Sequence, residues 1–394
     1  DRAPREEKYA IKMRPWPLML AQAFAFSPLR NNHGTNRWTE STARGTVQCK
    51  PGSALSAGGA EVGRDLLSED PTAESAAPVT RYTWRGHSCA YRKMGAGPPV
   101  LLVHGFAGSS FNCWRSTLPE LARTHTTYAI DLLGLGASDQ PADVDYGIGL
   151  WTEQCEDFVR DHMGAAPPVV IGHSFGSCVA LELASALGAR GTPARAVAMM
   201  NCGCGMNNKN GLAAENWRRE QDPDGAMVEA AAPAWQFAVF GLVLGIVDVV
   251  FSQKWLLLQI LGKFATAENV RGALESSVYT DPGRVTDDLV ADYLELAKNK
   301  NAAVEVLRQI YTNDAGPLPF PAAEALPEEF PVLAVWGDRD NLASIQGPVG
   351  RYFRDRARRL GATRFEEISA GHVPQDDAPG LTNRILSEWL VGID

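Results

Sequence analysis

The feature that most constrains the fold of this chain is a series of short apolar runs after Thr80, with helical stretches between them. Five such runs are PPVLLVHG, TTYAID, PPVVIG, RAVAMMNC and PVLAVWGD, and a typical intervening segment is LWTEQCEDFVRDHM. Strands buried on both faces have continuous apolar character, and strands that alternate with helices form parallel sheets. The sequence therefore predicts an α/β fold, a mostly parallel sheet with helices on both faces. Its chemistry is expected where the strands end.

Composition narrows the class of protein. The chain has 394 residues, 45% of them hydrophobic, with a formal net charge of −9. This suits a globular protein of one large or two modest domains and argues against nucleic acid as a partner. Seven cysteines without dense, even spacing indicate thiols that are mostly reduced. The pair Cys202 and Cys204 has no second pair at zinc-finger spacing, so packing explains it better than metal binding, and no metal is predicted.

The first 79 residues differ from the rest, being rich in Ala, Ser, Gly, Thr and Arg. Between Met13 and Lys50 the basic residues face a single acid, Glu40, which is typical of an organelle transit peptide. The apolar stretch Trp16–Phe26 resembles a signal-peptide core and would suit import into a plastid with extra membranes. We predict a targeting peptide and disordered linker over 1–79; a disordered tail without an address is the alternative.

The stretch Val169–Ala184, VVIGHSFGSCVALELA, places Ser174 between a predicted strand and a predicted helix. Gly and Ser are also common turn formers, so the five-residue pattern alone is weak. The strand, sharp turn and helix are nevertheless the context of a nucleophile elbow, in which small neighbours such as Gly172 and Gly176 permit a strained serine. Ser174 is therefore predicted to be a nucleophile.

Three further strand ends supply partners for this serine. HGFAG, at His104–Gly108, offers the backbone N–H of Phe106, which with the N–H of Phe175 would form an oxyanion hole. VWGDRDN supplies two acids, Asp338 and Asp340, of which only one can orient a histidine. SAGHVPQDD supplies His372 as the base. The chain order Ser174, Asp340, His372 is that of the α/β-hydrolase family, and differs from the chymotrypsin-like and subtilisin-like orders.

From Tyr82 to its end the chain resembles α/β-hydrolases of the chlorophyll dephytylase and pheophytinase type from plants and algae. The segments that carry the resemblance are LLVHGFAGSSFNCWR, YAIDLLGLGASDQP, MNCGCGMNN, GPVGRYF and GHVPQDDAPGL. The resemblance implies Ser174 as nucleophile, Asp340 as acid and His372 as base, with Phe106 and Phe175 as oxyanion donors. The chain departs from that group at His173, where Asn is usual, and at Asn341, where Pro or Gly often follows the acid.

Between Met206 and Pro331 the alternation stops, which predicts a helical lid inserted between the sixth and seventh strands. Its segment Pro233–Phe264 is apolar on every helical face, indicating burial or membrane contact. Polar interruptions, including Asp248 and the turn at 252–254, favour a lid helix over a membrane span. Two explanations of this apolar surface are left open: it packs on the core, or it covers a hydrophobic substrate channel. The predicted substrate-facing residues are Trp235, Phe237 and Phe240. The predicted division is a linker (1–79), a first core part (80–205), the lid (206–330) and a second core part (331–394).

The predicted function is that of a serine carboxylic ester hydrolase acting through an acyl-enzyme, on a long-chain hydrophobic ester such as the phytyl ester of chlorophyll or pheophytin. This chemistry requires no metal or organic cofactor. Dehalogenases and epoxide hydrolases of the same fold are disfavoured, since they attack with Asp. The alternatives are a general lipid or xenobiotic esterase and a ligand-binding receptor that retains the triad. The oligomeric state and peripheral membrane association are left open.

Overall fold

A computed structural model describes residues 77–203, 242, 245–246, 248–295, 297–312 and 318–393. Eight strands form one sheet in the order β1-β2-β4-β3-β5-β6-β7-β8. They are β1 (Val79–Trp84), β2 (His87–Met94), β3 (Pro99–Val103), β4 (Thr126–Asp131), β5 (Val169–His173), β6 (Ala196–Met200), β7 (Val332–Gly337) and β8 (Thr363–Ile368). β2 pairs antiparallel with both β1 and β4, and every other pairing in the sheet is parallel. The predicted mostly parallel α/β fold is confirmed.

Three strands of this sheet, β1, β2 and β8, are not among the five predicted apolar runs. β1 and β2 lie at one edge, where most residues of β1 are exposed and charged side chains interrupt the apolar pattern. β1 begins at Val79, so the sheet already includes the last residue of the segment 1–79 that we predicted as linker. Residues 1–76 lie outside the described residues.

The helices surround the sheet and fill the connection between β6 and β7. They are α1 (Leu118–Leu121), α2 (Ile148–His162), α3 (Phe175–Ala189), α4 (Lys254–Phe264), α5 (Ala267–Ser277), α6 (Asp287–Glu295), α7 (Lys300–Thr312), α8 (Pro319–Ala325), α9 (Pro348–Arg359), α10 (Pro374–Asp377) and α11 (Pro379–Val391). Helices α4 to α8 follow β6 and precede β7, where the sequence predicts a lid; we call residues 204–331 the insert. Trp235, Phe237 and Phe240 lie outside the described residues.

The hydrophobic core has one part on each face of the sheet. In β3, Leu101 and Val103 belong to the cluster that contains α2 and α3, whereas Val100 and Leu102 belong to the cluster that contains Trp114 and α11. All four side chains are fully buried. Burial of alternate residues on opposite faces explains why the central strands read as unbroken apolar runs.

The apolar segment Pro233–Phe264 is interrupted where the sequence predicts. Residues 248–252 are helical, and α4 begins at Lys254 after a break at Gln253. Phe251 and Leu257 are buried, so part of this segment packs on the core, whereas four large apolar side chains are exposed: Leu242, Ile246, Val249 and Trp255. Among the described helices, none combines the length and the apolar character needed to cross a bilayer.

The part of the insert that contains α5 and α6 docks beside the end of β8. Leu274, Tyr279 and Leu289 form a buried cluster with Val373, which follows β8. Next to it, Arg115 of the sheet domain forms an ion pair of 2.8 Å with Asp376, and both side chains have no exposed area. Arg115 also donates to the carbonyl of Arg284 at 2.6 Å and to the hydroxyl of Thr286 at 2.9 Å, so this buried cluster attaches the insert to the sheet domain through Arg115. Loss of either member of the pair would leave a buried charge without its main partner.

Candidate active site

Ser174 stands in the sharp turn between β5 and α3. Its backbone angles, φ 53° and ψ −125°, lie outside the favoured regions for a residue with a side chain. Such a conformation costs on the order of 1 to 3 kcal/mol and persists only where its surroundings enforce it. Here the Ser174 N–H donates to the carbonyl of Met200 at 2.9 Å, and its own carbonyl accepts from Ser177 and Gly203. The turn therefore has the geometry of the predicted nucleophile elbow.

Glycines allow the main chain to pack closely around this turn. A Cβ on Gly172 would lie 2.3 Å from the carbonyl oxygen of Gly176, and a Cβ on Gly176 would lie 2.3 Å from that of His104. A Cβ on Gly105 would lie 3.0 Å from the Cβ of Ser174. These separations are shorter than van der Waals contact, so larger residues would force β3, β5 and α3 apart.

The structure brings Ser174, His372 and Asp340 into one chain of hydrogen bonds. The Oγ of Ser174 is 3.0 Å from Nε2 of His372, and Nδ1 of His372 is 2.8 Å from Oδ2 of Asp340. Asp340 follows β7 and His372 follows β8, so all three groups stand at the carboxyl ends of parallel strands on one side of the sheet. A serine hydroxyl bonded to a carboxylate-oriented imidazole can be deprotonated to attack an electrophile.

The environment of Asp340 keeps it ionised. Burial alone raises the pKa of this carboxyl, but the adjacent His372 and the N–H groups of Leu342 and Ala343 outweigh burial and hold the pKa below its usual value. The other candidate acid, Asp338, has a side chain that is 39% exposed and faces Arg339. The structure thus places Asp340 beside the histidine and leaves Asp338 at the surface.

Asn201 is a member of this network that the sequence analysis missed. Its Nδ2 donates to Oδ2 of Asp340 at 2.6 Å and to the carbonyl of Gly371 at 2.9 Å, and its Oδ1 accepts from the N–H of Gly337. It is fully buried and has a φ of 44°. The signal for it in the sequence is its place directly after β6, at the carboxyl end of a parallel strand.

His173 bonds to the main chain of His372. Its Nε2–H donates to the backbone carbonyl of His372 at 2.8 Å, and the two rings lie 5.0 Å apart. Burial, together with the neighbouring His372, lowers the pKa of His173 to about 3, so its imidazole is neutral at physiological pH. Where dephytylase-type hydrolases usually have Asn, this chain therefore has a histidine that donates a hydrogen bond to the backbone carbonyl of His372.

The predicted oxyanion donors flank the serine. Phe106 follows Gly105, which lies against Ser174, and a turn closed by the bond from Gly108 N–H to the Gly105 carbonyl shapes this loop. Phe175 is the first residue of α3, where backbone N–H groups point out of the helix. A Cβ on Gly203 would stand 3.6 Å from Phe175 N and 3.8 Å from Ser174 Oγ, so a glycine limits crowding beside both atoms.

The loop after β3 is held by hydrogen bonds to the segment after β4 and to the insert. His104 accepts the N–H of Leu132 at 3.0 Å, and burial lowers the pKa of His104 to about 4. From α6, the carboxylate of Asp292 accepts the hydroxyl of Ser109 at 2.6 Å, and burial raises the pKa of Asp292 to about 6. Within the described ranges, His, Cys, Asp and Glu side chains form no group of three that could ligate a metal.

Comparison with known proteins agrees with this geometry. Residues 98–379 match the family described as alpha/beta hydrolase fold. A 2-hydroxymuconate semialdehyde hydrolase from Pseudomonas sp. (strain CF600) is 36% identical over 92 residues, which are 23% of this chain and 32% of that protein. Epoxide hydrolase 3 from Xenopus tropicalis is 24% identical over 307 residues, 74% of this chain and 71% of that protein.

Solved structures resemble the chain over a larger share of its length. A meta-cleavage product hydrolase from Pseudomonas fluorescens IP01 has a TM-score of 0.56 at 18% identity and covers 80% of this chain and 98% of its own. The matched region spans about a third of the length of the first curated relatives. The family match extends over more than half of the chain and includes all three residues of the hydrogen-bonded chain. The protein is thus a member of the alpha/beta hydrolase fold family.

Proposed function

We propose that this protein is a serine carboxylic ester hydrolase. The observation that carries the proposal is the hydrogen-bonded chain from Ser174 Oγ through His372 to Asp340, at an elbow with a left-handed serine. An epoxide hydrolase mechanism is disfavoured, although epoxide hydrolase 3 is a relative, because the position after β5 holds Ser rather than the attacking Asp of those enzymes.

In the proposed mechanism, His372 accepts the Ser174 proton as the Oγ attacks an ester carbonyl. The developing oxyanion is bound by the N–H groups of Phe106 and Phe175. His372 then protonates the leaving alcohol, and water, deprotonated by the same imidazole, releases the acid from the acyl-enzyme. Asp340, ionised and bonded to Nδ1, stabilises the imidazolium that forms in each half-reaction.

For the substrate we propose a long-chain hydrophobic ester, with the phytyl ester of chlorophyll or pheophytin as the specific candidate. The proposal rests on the sequence resemblance to dephytylase-type hydrolases and on the apolar segment Pro233–Phe264 in the insert. Each buried methylene contributes about 0.8 kcal/mol, so even a partly buried tail would dominate binding. Trp235, Phe237 and Phe240 are the residues proposed to contact the tail.

The test measures kcat/KM for acetyl, octanoyl and phytyl esters with the wild-type protein, with Ser174→Ala and with a triple variant in which Trp235, Phe237 and Phe240 become Ser. We expect wild type to prefer long chains, Ser174→Ala to lose all turnover, and the triple variant to lose the preference while it retains acetyl ester turnover. Turnover of small esters without release of chlorophyllide would rule out the pigment ester as substrate and favour a general lipid or xenobiotic esterase. Binding of an ester without multiple turnover would favour the ligand-binding receptor instead.

We also propose that residues 1–79 direct the protein to a plastid. A fusion of residues 13–80 to a fluorescent reporter should enter plastids, and the protein without its first 76 residues, which retains β1 whole, should keep its activity. A reporter that stays in the cytosol would contradict the proposed address without affecting the proposed chemistry.

A further inference from the structure

The backbone of the catalytic base is bonded to the insert. The N–H of His372 donates to the carbonyl of Val278 at 2.8 Å. Val278 directly follows α5, so the carbonyl that accepts this N–H belongs to the insert rather than to the sheet domain. The other side of the His372 peptide is held by His173. The loop after β8 that carries His372 is therefore hydrogen-bonded both to β5, through His173, and to the insert, through Val278.

A single carboxylate, that of Asp377, links the same two segments. Its Oδ2 accepts from the N–H of Gly371 at 2.6 Å and from the hydroxyl of Thr280 at 2.7 Å. Its Oδ1 accepts from the N–H groups of Thr280 and Asp281, each at 3.0 Å. An ionised carboxylate has about four acceptor positions, and the bonds here use nearly all of that capacity. Asp377 is 8% exposed, so water competes little for these positions.

The turn that Asp377 holds is itself anchored. Asp376, the preceding residue, accepts from Arg115 at 2.8 Å, from Ser116 Oγ at 2.6 Å and from the hydroxyl of Tyr279 at 2.8 Å. Tyr279 lies between the two residues of the turn that bind His372 and Asp377. The segment Val278–Asp281, which we call the base strut, is thus attached to the sheet domain at consecutive positions.

We propose that Asp377 is a positioning residue for His372, acting through the Gly371 N–H and the base strut, so that the insert sets the geometry of the base. This inference rests on the proposed serine hydrolase function. A change in the strut that makes no contact with substrate should then lower kcat and leave KM nearly unchanged.

Three variants of the network and one control variant test this. Asp377→Asn retains the size of the side chain but turns one acceptor into an N–H₂ that must face an N–H donor. Thr280→Val removes only the hydroxyl that binds Asp377 and preserves the side-chain volume. The matched control is Asp287→Asn, the same chemical change in the insert at a side chain that is fully exposed. Asp377→Glu restores a carboxylate and serves as the conservative rescue.

The measurements are kcat and KM for an acetyl ester and the rate constant of fluorophosphonate labelling, each at a temperature where circular dichroism shows the variant folded. Misplacement of a catalytic group by about 1 Å costs roughly a hundred-fold. We expect Asp377→Asn to lose roughly that factor in kcat and labelling rate and Thr280→Val to lose roughly three- to ten-fold, with KM within about two-fold in both. Asp377→Glu should recover part of the rate, and Asp287→Asn should match wild type.

Wild-type kcat in folded Asp377→Asn, or a loss confined to KM, would overturn the inference. If Asp377→Asn does not fold, Thr280→Val decides: a reduced kcat supports the positioning role and an unchanged kcat refutes it. Failure of the proposed function has a different signature, since wild type would then resist the probe or Ser174→Ala would still turn over esters.

Discussion

Replacement of Asp340 by Asn has an outcome that the hydrogen bonds around this side chain determine. Oδ1 of Asp340 faces the N–H groups of Leu342 and Ala343, at 2.7 and 3.0 Å. Oδ2 faces Nδ1 of His372 and the amide nitrogen of Asn201. Each oxygen meets two donors, but those at Oδ1 are backbone N–H groups that cannot accept, whereas Nδ1 of His372 can accept in its other tautomer. The amide oxygen of the variant will therefore take the Oδ1 position, and its N–H₂ will point at His372.

The consequence is the wrong tautomer of the catalytic imidazole. An N–H₂ group at 340 requires Nδ1 of His372 to accept, which places the ring proton on Nε2, facing Ser174. The imidazole then cannot take the serine proton. The equivalent change in a serine protease triad lowers kcat about 10⁴-fold, or about 5 kcal/mol in activation free energy, and we expect a similar loss here.

The assay is kcat for an acetyl ester, with Asp338→Asn as the matched control. Asp338 is two residues away, carries the same carboxylate and is 39% exposed, so its variant should stay within about two-fold of wild type. Equal losses in the two variants, or a loss in Asp340→Asn that circular dichroism attributes to unfolding, would refute the reasoning.

Three further predictions concern stability, each measured by urea unfolding. Arg115→Ala should lower the free energy of unfolding by about 3 kcal/mol, because the buried Asp376 then keeps only its longer ion pair, with Arg284 at 3.3 Å. Arg123→Ala, at an ion pair whose side chains are 69% and 40% exposed, should lower it by at most about 1 kcal/mol, and similar losses in the two variants would contradict this. Gly176→Ala should cost about 2 to 3 kcal/mol because its Cβ would meet a carbonyl oxygen at 2.3 Å, whereas Gly188→Ala, in the same helix with nothing within 4 Å, should be neutral or stabilising. The depressed pKa of His104 means that the unfolded chain binds a proton first, so stability is lost as pH falls from 6.5 towards 4, by about 3 kcal/mol from this group. His104→Asn should show a smaller fall over that window, and an equal fall in both proteins would exclude His104 as the cause.

The sequence predicts the central sheet and the three triad residues for the same physical reason. Strands buried on both faces must be apolar throughout, and the polar residues that follow them gather at one edge. Ser174, Asp340 and His372 each occupy such a position, so local pattern and chain order suffice to find them.

Other features of the site depend on contacts between residues far apart in the sequence, which no local pattern encodes. Asn201 bonds Asp340 across 139 residues, and Asp377 bonds Thr280 across 97. Neither residue type is unusual after a strand or in a short helix, so the partner of each becomes apparent only in the folded chain. The edge strands β1 and β2 were missed because half-exposed strands do not form apolar runs.

The most direct test of the central claim is to identify the atom that attacks. The full-length protein is treated with a fluorophosphonate, digested, and mapped by mass spectrometry, alongside Ser174→Ala and His372→Ala. We predict a single adduct on Ser174 in the wild-type protein, none in Ser174→Ala, and labelling slowed by several orders of magnitude in His372→Ala. An adduct on another residue, or continued ester turnover by Ser174→Ala, would contradict the assignment of Ser174 as the nucleophile.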